Sequence, residues 1–329
     1  MKSIVAFVLG TFVLTLALIA QAPTPAPAQR GTGRGGRGAN QAPSGPQNLA
    51  WVDRSGKVLG AIGQPQAAIL DPSISPDGTK VVVRGRDTAA ETEHAYVHEG
   101  TTKRRLTSNE GSERHEIWSP DGKYIAFSMQ LAGQGNVSNL YMRKADGSGS
   151  DEPIVVSEGM HKWSPTWSPD GKFMVYHTND LKTNARDLGF VELATHKTDF
   201  LVDSPATEAL PRFSLDGKFV AYQAQEEGGK FEVYVTTFPK SNAKWKVSAN
   251  GGEWPRWSKD EIYYWEGNNM MAVKFTARGP NFSATAPEKL FSGADVGMGP
   301  GNIGGYNFFY DYHDGKFVVV QRPPAANGN

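Results

Sequence analysis

Short apolar runs recur along this chain at a regular interval. They are Val81-Val82-Val83, Tyr124-Ile125-Ala126-Phe127, Phe173-Met174-Val175-Tyr176, Phe219-Val220-Ala221-Tyr222, Ile262-Tyr263-Tyr264-Trp265 and Phe317-Val318-Val319-Val320. Each is too short for a helix, and each is rich in β-branched and aromatic residues bounded by Gly, Pro, Asp or Asn, the signature of a strand. A third strand follows some of them, as in Asn139-Leu140-Tyr141-Met142 and Phe231-Glu232-Val233-Tyr234-Val235. A fourth ends the unit, as in Arg105-Leu106-Thr107, Phe200-Leu201-Val202 and Trp245-Lys246-Val247. Several of the runs are continuously apolar, which predicts sheets covered on both faces.

The polar breaks repeat as well. Ser-Pro-Asp-Gly stands at 75–78, 119–122 and 168–171, with degenerate copies at Ser214-Leu215-Asp216-Gly217, Ser258-Lys259-Asp260 and His313-Asp314-Gly315. Counted on the Asp, the spacings are 44, 49, 46, 44 and 54 residues. Proline presets φ, Asp offers its carboxylate to nearby backbone N–H groups, and Gly takes positive φ, so each copy predicts a tight turn. Four antiparallel strands in such a period make one propeller blade. The last copy lacks its outer half, while Asn48–Gly56 and Lys57–Gly60 have the character of surplus third and fourth strands. The predicted fold class is therefore all-β: a six-bladed β-propeller of four-stranded antiparallel blades. Its ring is closed by the N-terminal strands pairing with Tyr306–Tyr312 and Lys316–Val320, which hides two sheet edges.

The ends differ from this pattern. Met1-Lys2 followed by the apolar run Ile4–Ala20 and then small residues predicts a signal peptide over 1–20, with a second cleavage option near Ala28. Residues 21–47, rich in Pro and Gly, are expected to be a disordered linker, and 323–329 a flexible tail, leaving 48–322 for the propeller. The expected location is the periplasm or the medium, with no membrane span once the leader is removed; an uncleaved anchor over the same run is the alternative. There are no cysteines, which excludes disulfides and thiolate chemistry. The formal charge is zero over 329 residues, and four of the basic residues precede Asp53. The remainder is slightly acidic, so no nucleic acid partner is expected, despite the Arg-Gly tract at 30–38.

The unit Trp-Ser-Pro-Asp-Gly-Lys followed by an apolar strand resembles the WD-like repeat of the TolB propeller family, over about residues 48–322. Two copies depart from it: Lys259 replaces Pro with no Gly after Asp260, and Tyr312-His313 replaces Ser-Pro. Those departures bear on turn geometry, not on the blade count. The resemblance implies an exported scaffold that binds proteins or other ligands at the ends of its ring.

Motifs for catalysis are missing. There is no Gly-x-Ser-x-Gly elbow, and the Gly-Lys pairs lack the flanking residues of a phosphate loop. The Asp residues of the turns are read as structural, so no catalytic residue, metal or cofactor is assigned. The segments leading into the innermost strands carry the better candidates: Arg114, His115, Trp163, Arg212, Trp254, Arg256 and Tyr306, of the residue types that dominate binding hot spots. Trp163 and Trp254 fit packing between blades as well as ligand contact. The expected function is a non-enzymatic scaffold, monomeric, binding an envelope or secreted protein, a peptide or a glycan at one mouth of the channel. The alternative is a metal-assisted hydrolase or lyase using His115 and His161 with Glu113, Glu116 or Glu208.

Overall fold

The computed structural model describes residues 45–108, 111–131, 136–226, 229–241, 243–299 and 306–322. The expected leader, most of the expected linker, Gly304-Gly305 and the expected tail lie outside them. The described residues form six antiparallel sheets. Five follow chain order, with innermost strands Ala68–Ile74, Ser112–Trp118, Met160–Trp167, Thr207–Phe213 and Glu253–Trp257. We number these blades one to five. Blade six joins the two ends of the folded chain. Tyr310–His313 and Lys316–Gln321 supply its inner half, Gln47–Asp53 and Val58–Gln66 its outer half. Ala50 sits opposite Val319 and Val52 opposite Phe317, and Gln47, expected in the linker, already belongs to the ladder.

Blade five has a fifth strand. Its third strand, Asn269–Arg278, is long enough for two partners: the outer strand Glu288–Ser292 on its first half and the hairpin strand Asn281–Ala284 on its second. This hairpin accounts for part of the widest repeat spacing.

The apolar runs are buried on both faces, as their continuity predicts: Val81, Val82 and Val83 are all 0% exposed. The largest apolar cluster surrounds the closing blade, where Leu49 and Val52 meet Val83, Trp265, Phe291 and Phe317.

The turns work by a division of labour between Ser and Asp. In the third copy Ser168 Oγ donates to Asp170 Oδ1 (2.6 Å) and accepts from Phe173 N (2.9 Å), and Asp170 Oδ1 also accepts from Lys172 N (3.1 Å). The copies at Ser75, Ser119 and Ser214 repeat this pattern. Gly78, Gly122, Gly171 and Gly217 all have φ near +70°, where a Cβ would be strained. In blade five, which lacks that Gly, the turn contracts: Ser258 N donates to Glu261 O, whereas Ser75 N reaches Lys80 O.

The Trp before a turn ties neighbouring blades together. Trp118 Nε1 donates to Ser73 O (3.1 Å) and Trp257 Nε1 to Arg212 O (3.0 Å), in each case to the residue two before the preceding blade's turn Ser.

Candidate functional site

Each of the five innermost strands of blades one to five breaks register at one place. The shifts fall between Leu70 and Ser73, Arg114 and Ile117, Trp163 and Thr166, Ala209 and Arg212, and Glu253 and Arg256. Each bulge holds a non-glycine residue at positive φ: Asp71, His115, Ser164, Leu210 and Trp254, between +50° and +60°. All five stand four residues before the turn Ser. A bulge re-aims side chains and is common beside functional sites, and here it turns a ring of residues around the axis.

Phe308 occupies that axis. It is 1% exposed, stacks on His115 (6.0 Å, 22°), and packs its ring against the guanidinium groups of Arg212 (5.2 Å) and Arg256 (4.7 Å). Its backbone exchanges two hydrogen bonds with Asp71, one through the Asp71 N–H and one through its carboxylate. With its backbone tied to blade one and its ring against blades two, four and five, Phe308 fills the channel and separates an upper mouth, where the innermost strands begin, from a lower mouth at the turns.

Above Phe308 lies an aromatic layer. His115 Nε2 pairs with Tyr306 O (2.9 Å). His177 is in contact with His115 (6.3 Å), Trp163 (5.6 Å) and Tyr306 (5.8 Å). Trp163 also stacks on His161 (4.5 Å), and Arg186 lies 4.4 Å over the Tyr306 ring. Trp163 and Tyr306 are half-buried and Arg114 is exposed, so these three reach the surface. Burial pushes His115 down to about 4 and His177 well below the ordinary histidine value, and both rings are neutral at pH 7. Neither ring nitrogen of His177 has a hydrogen-bond partner among the described residues.

Below Phe308 the lower mouth opens into a cavity of about 260 Å³ lined by all six blades. Its two cations are Arg212 and Arg256, both at the position two before the turn Ser. Arg256 Nε pairs with Asp311 Oδ1 (2.5 Å), and Asp311 Oδ2 accepts from Ile74 N (2.9 Å). Arg212 has no carboxylate within 4 Å among the described residues; its one hydrogen bond runs from Nη1 to Pro211 O (2.8 Å). Burial, with Arg256 alongside, lowers its pKa to about 9, so it remains a cation at neutral pH.

The seven sequence-derived residues therefore separate. Arg114, Trp163 and Tyr306 face the upper mouth, His115 is buried beneath it, and Arg212 and Arg256 belong to the lower mouth. Trp254 is 0% exposed and part of the core; its carbonyl accepts the Tyr310 hydroxyl, and it serves packing. His177, Arg186, Phe308 and Asp311 were not singled out, because no motif marks them and only the ring brings them to the axis.

The residues of the enzymatic alternative do not converge. His161 Nδ1 accepts from Ser138 N (2.9 Å), Glu113 accepts from Thr107 and Ala95, and Glu208 accepts from Ser204 (2.5 Å). Among the described residues no group of three His, Asp or Glu is arranged to hold a metal ion.

Comparison with known proteins agrees with the architecture. The TolB beta propeller domain family matches residues 54–261. A Tol-Pal system protein TolB of Anaeromyxobacter dehalogenans is 29% identical over 126 residues, 37% of this chain and 27% of that protein. An uncharacterized peptidase of Bacillus subtilis, YuxL, is 28% identical over 111 residues, 32% of this chain and 16% of that protein. The chain thus matches about a quarter or less of these relatives' own length. Among solved structures, one assigned as TolB from Agrobacterium tumefaciens superposes with a TM-score of 0.61 at 15% identity, covering 85% of this chain and 99% of that one. With six sheets in a ring and the family matched across most of them, the chain belongs to the TolB beta propeller domain family.

Proposed function

We propose that this protein is an exported scaffold that binds a protein or peptide of the cell envelope at its upper mouth, without catalysing a reaction. One observation carries the reading: Trp163 and Tyr306 reach the surface from a preformed aromatic layer around His177, and Arg114 is exposed on the neighbouring innermost strand. Rigid aromatic rings backed by packing give wide contact at small entropic cost, and Arg adds directional donors. The apolar N-terminal run supports export, and relatives named as Tol-Pal system proteins support an envelope setting.

The test is affinity capture from envelope extract with wild-type protein, Trp163→Ala and Arg114→Ala. Replacement of Trp163 is expected to weaken a specific partner by about 2 kcal/mol, roughly thirtyfold, with unchanged melting temperature. Equal capture by wild type and both variants would defeat the proposal.

A further inference from the structure

The lower mouth holds a charge imbalance that the upper-mouth reading does not use. At the cavity floor two guanidinium groups face one carboxylate, and Asp311 is already committed to Arg256 and to Ile74 N. Arg212, 9% exposed, is left with a single bond to its own neighbour's carbonyl and the face of Phe308. A buried cation without a counterion is costly, and a pKa near 9 means that it does not escape by losing its proton. The rest of the cavity lining is largely apolar: Ile117, Trp167, Phe213, Pro120 and Pro169, with Leu215 at the rim. Leu215 replaces the Pro of the turn motif and is 64% exposed.

We propose that the lower mouth is a second binding site, which takes a carboxylate on an apolar stem, with Arg212 as its counterion. The guanidinium fork matches a planar carboxylate in two parallel hydrogen bonds. The single excess positive charge selects a monoanion over phosphate. A cavity of about 260 Å³ suits one residue-sized group, so the carboxylate comes either from a small free acid or from a polypeptide, as a chain terminus or an acidic side chain. Phe308 separates this site from the upper mouth, so the two proposals stand or fall apart.

The experiment is calorimetric titration of the full chain with N-acetyl-leucine, N-acetyl-leucinamide, hexanoate and inorganic phosphate, on wild type, Arg212→Met, Arg212→Lys and Trp163→Ala. N-acetyl-leucine or hexanoate is expected to bind and the uncharged amide not to. Arg212→Met is expected to weaken the acid at least about tenfold and to raise the melting temperature of the ligand-free protein, because an unpaired charge has been removed. Arg212→Lys should retain weaker binding, and Trp163→Ala should bind like wild type. Tighter N-acetyl-leucine assigns a polypeptide carboxylate and tighter hexanoate a free acid, both in support of the site. Failure of both acids to bind at about 10 mM, equal binding of acid and amide, phosphate binding as tightly as the acids, or unchanged affinity in Arg212→Met each overturns it.

Discussion

Ser164 combines two costs at one position. It holds φ at +50°, where a Cβ is unfavourable by roughly 1–2 kcal/mol, and its buried hydroxyl has no partner among the described residues. Ser164→Gly removes both, against the extra unfolded-state entropy of glycine, and is expected to stabilise the fold by about 1 kcal/mol in a denaturant titration. Ser164→Val should destabilise it. Glu208 gives a pH-dependent counterpart. Burial raises its pKa from 4.5 to about 7, so the folded state binds its proton more tightly than the unfolded state does. Its contribution is therefore full below pH 4.5 and is lost as pH rises through 7. His115, lowered to about 4, acts oppositely, its contribution fading as pH falls from 6.5 to 4. Glu208→Gln deletes only the first trend. Its stability relative to wild type should grow by about 3 kcal/mol between pH 4.5 and 8, and a flat difference would show that Glu208 is not held protonated. Neither residue's role was legible in the sequence: Ser164 sits in an ordinary Ser-Pro pair and Glu208 in an unremarkable Thr-Glu-Ala.

At the level of elements, most of what was legible came from repetition. The Ser-Pro-Asp-Gly turns predicted where each second strand begins, and the φ of their glycines follows from chemistry that a single sequence displays. The Asp role was readable for the same reason, whereas the Ser hydroxyl closing the turn on the residue five ahead shows only in the folded structure. The bulges were not legible. Asp, His, Ser, Leu and Trp share no property that marks the position, and their constant distance from the turn Ser carries meaning only once the structure shows the bulges. The Trp of the repeat offers a direct comparison. Trp118 donates to Ser73 O, while the Trp167 indole N–H has no partner among the described residues. Trp118→Phe is expected to cost about 1 kcal/mol more than Trp167→Phe, the worth of one hydrogen bond plus a stranded carbonyl. Equal losses in thermal melts would assign both indoles to packing alone.

For the whole molecule, the decisive pairing is that of Gln47–Asp53 with Lys316–Gln321. It places residues from both ends in the largest apolar cluster, reinforced by the bidentate pair of Arg54 with Glu261 on blade five (2.9 and 2.8 Å). Removing residues 45–66 would leave Lys316–Gln321 as an open edge and unroof Phe317 and Val319. The truncated chain is expected to aggregate where the full chain stays monomeric in light scattering; a soluble truncate with unchanged melting would show that the five chain-ordered blades suffice. The sequence disclosed this pairing through its incomplete last repeat, but not the filled axis, because Phe308 lies outside every repeated phrase.

The same pairing dictates a timetable. The strand that starts the domain cannot dock until its final strand has been made, some 270 residues later, and at roughly 5–20 residues per second that is a delay of tens of seconds. A ribosome-bound chain therefore carries this strand paired on one edge with Val58–Gln66 and bare on the other for nearly the whole of its synthesis.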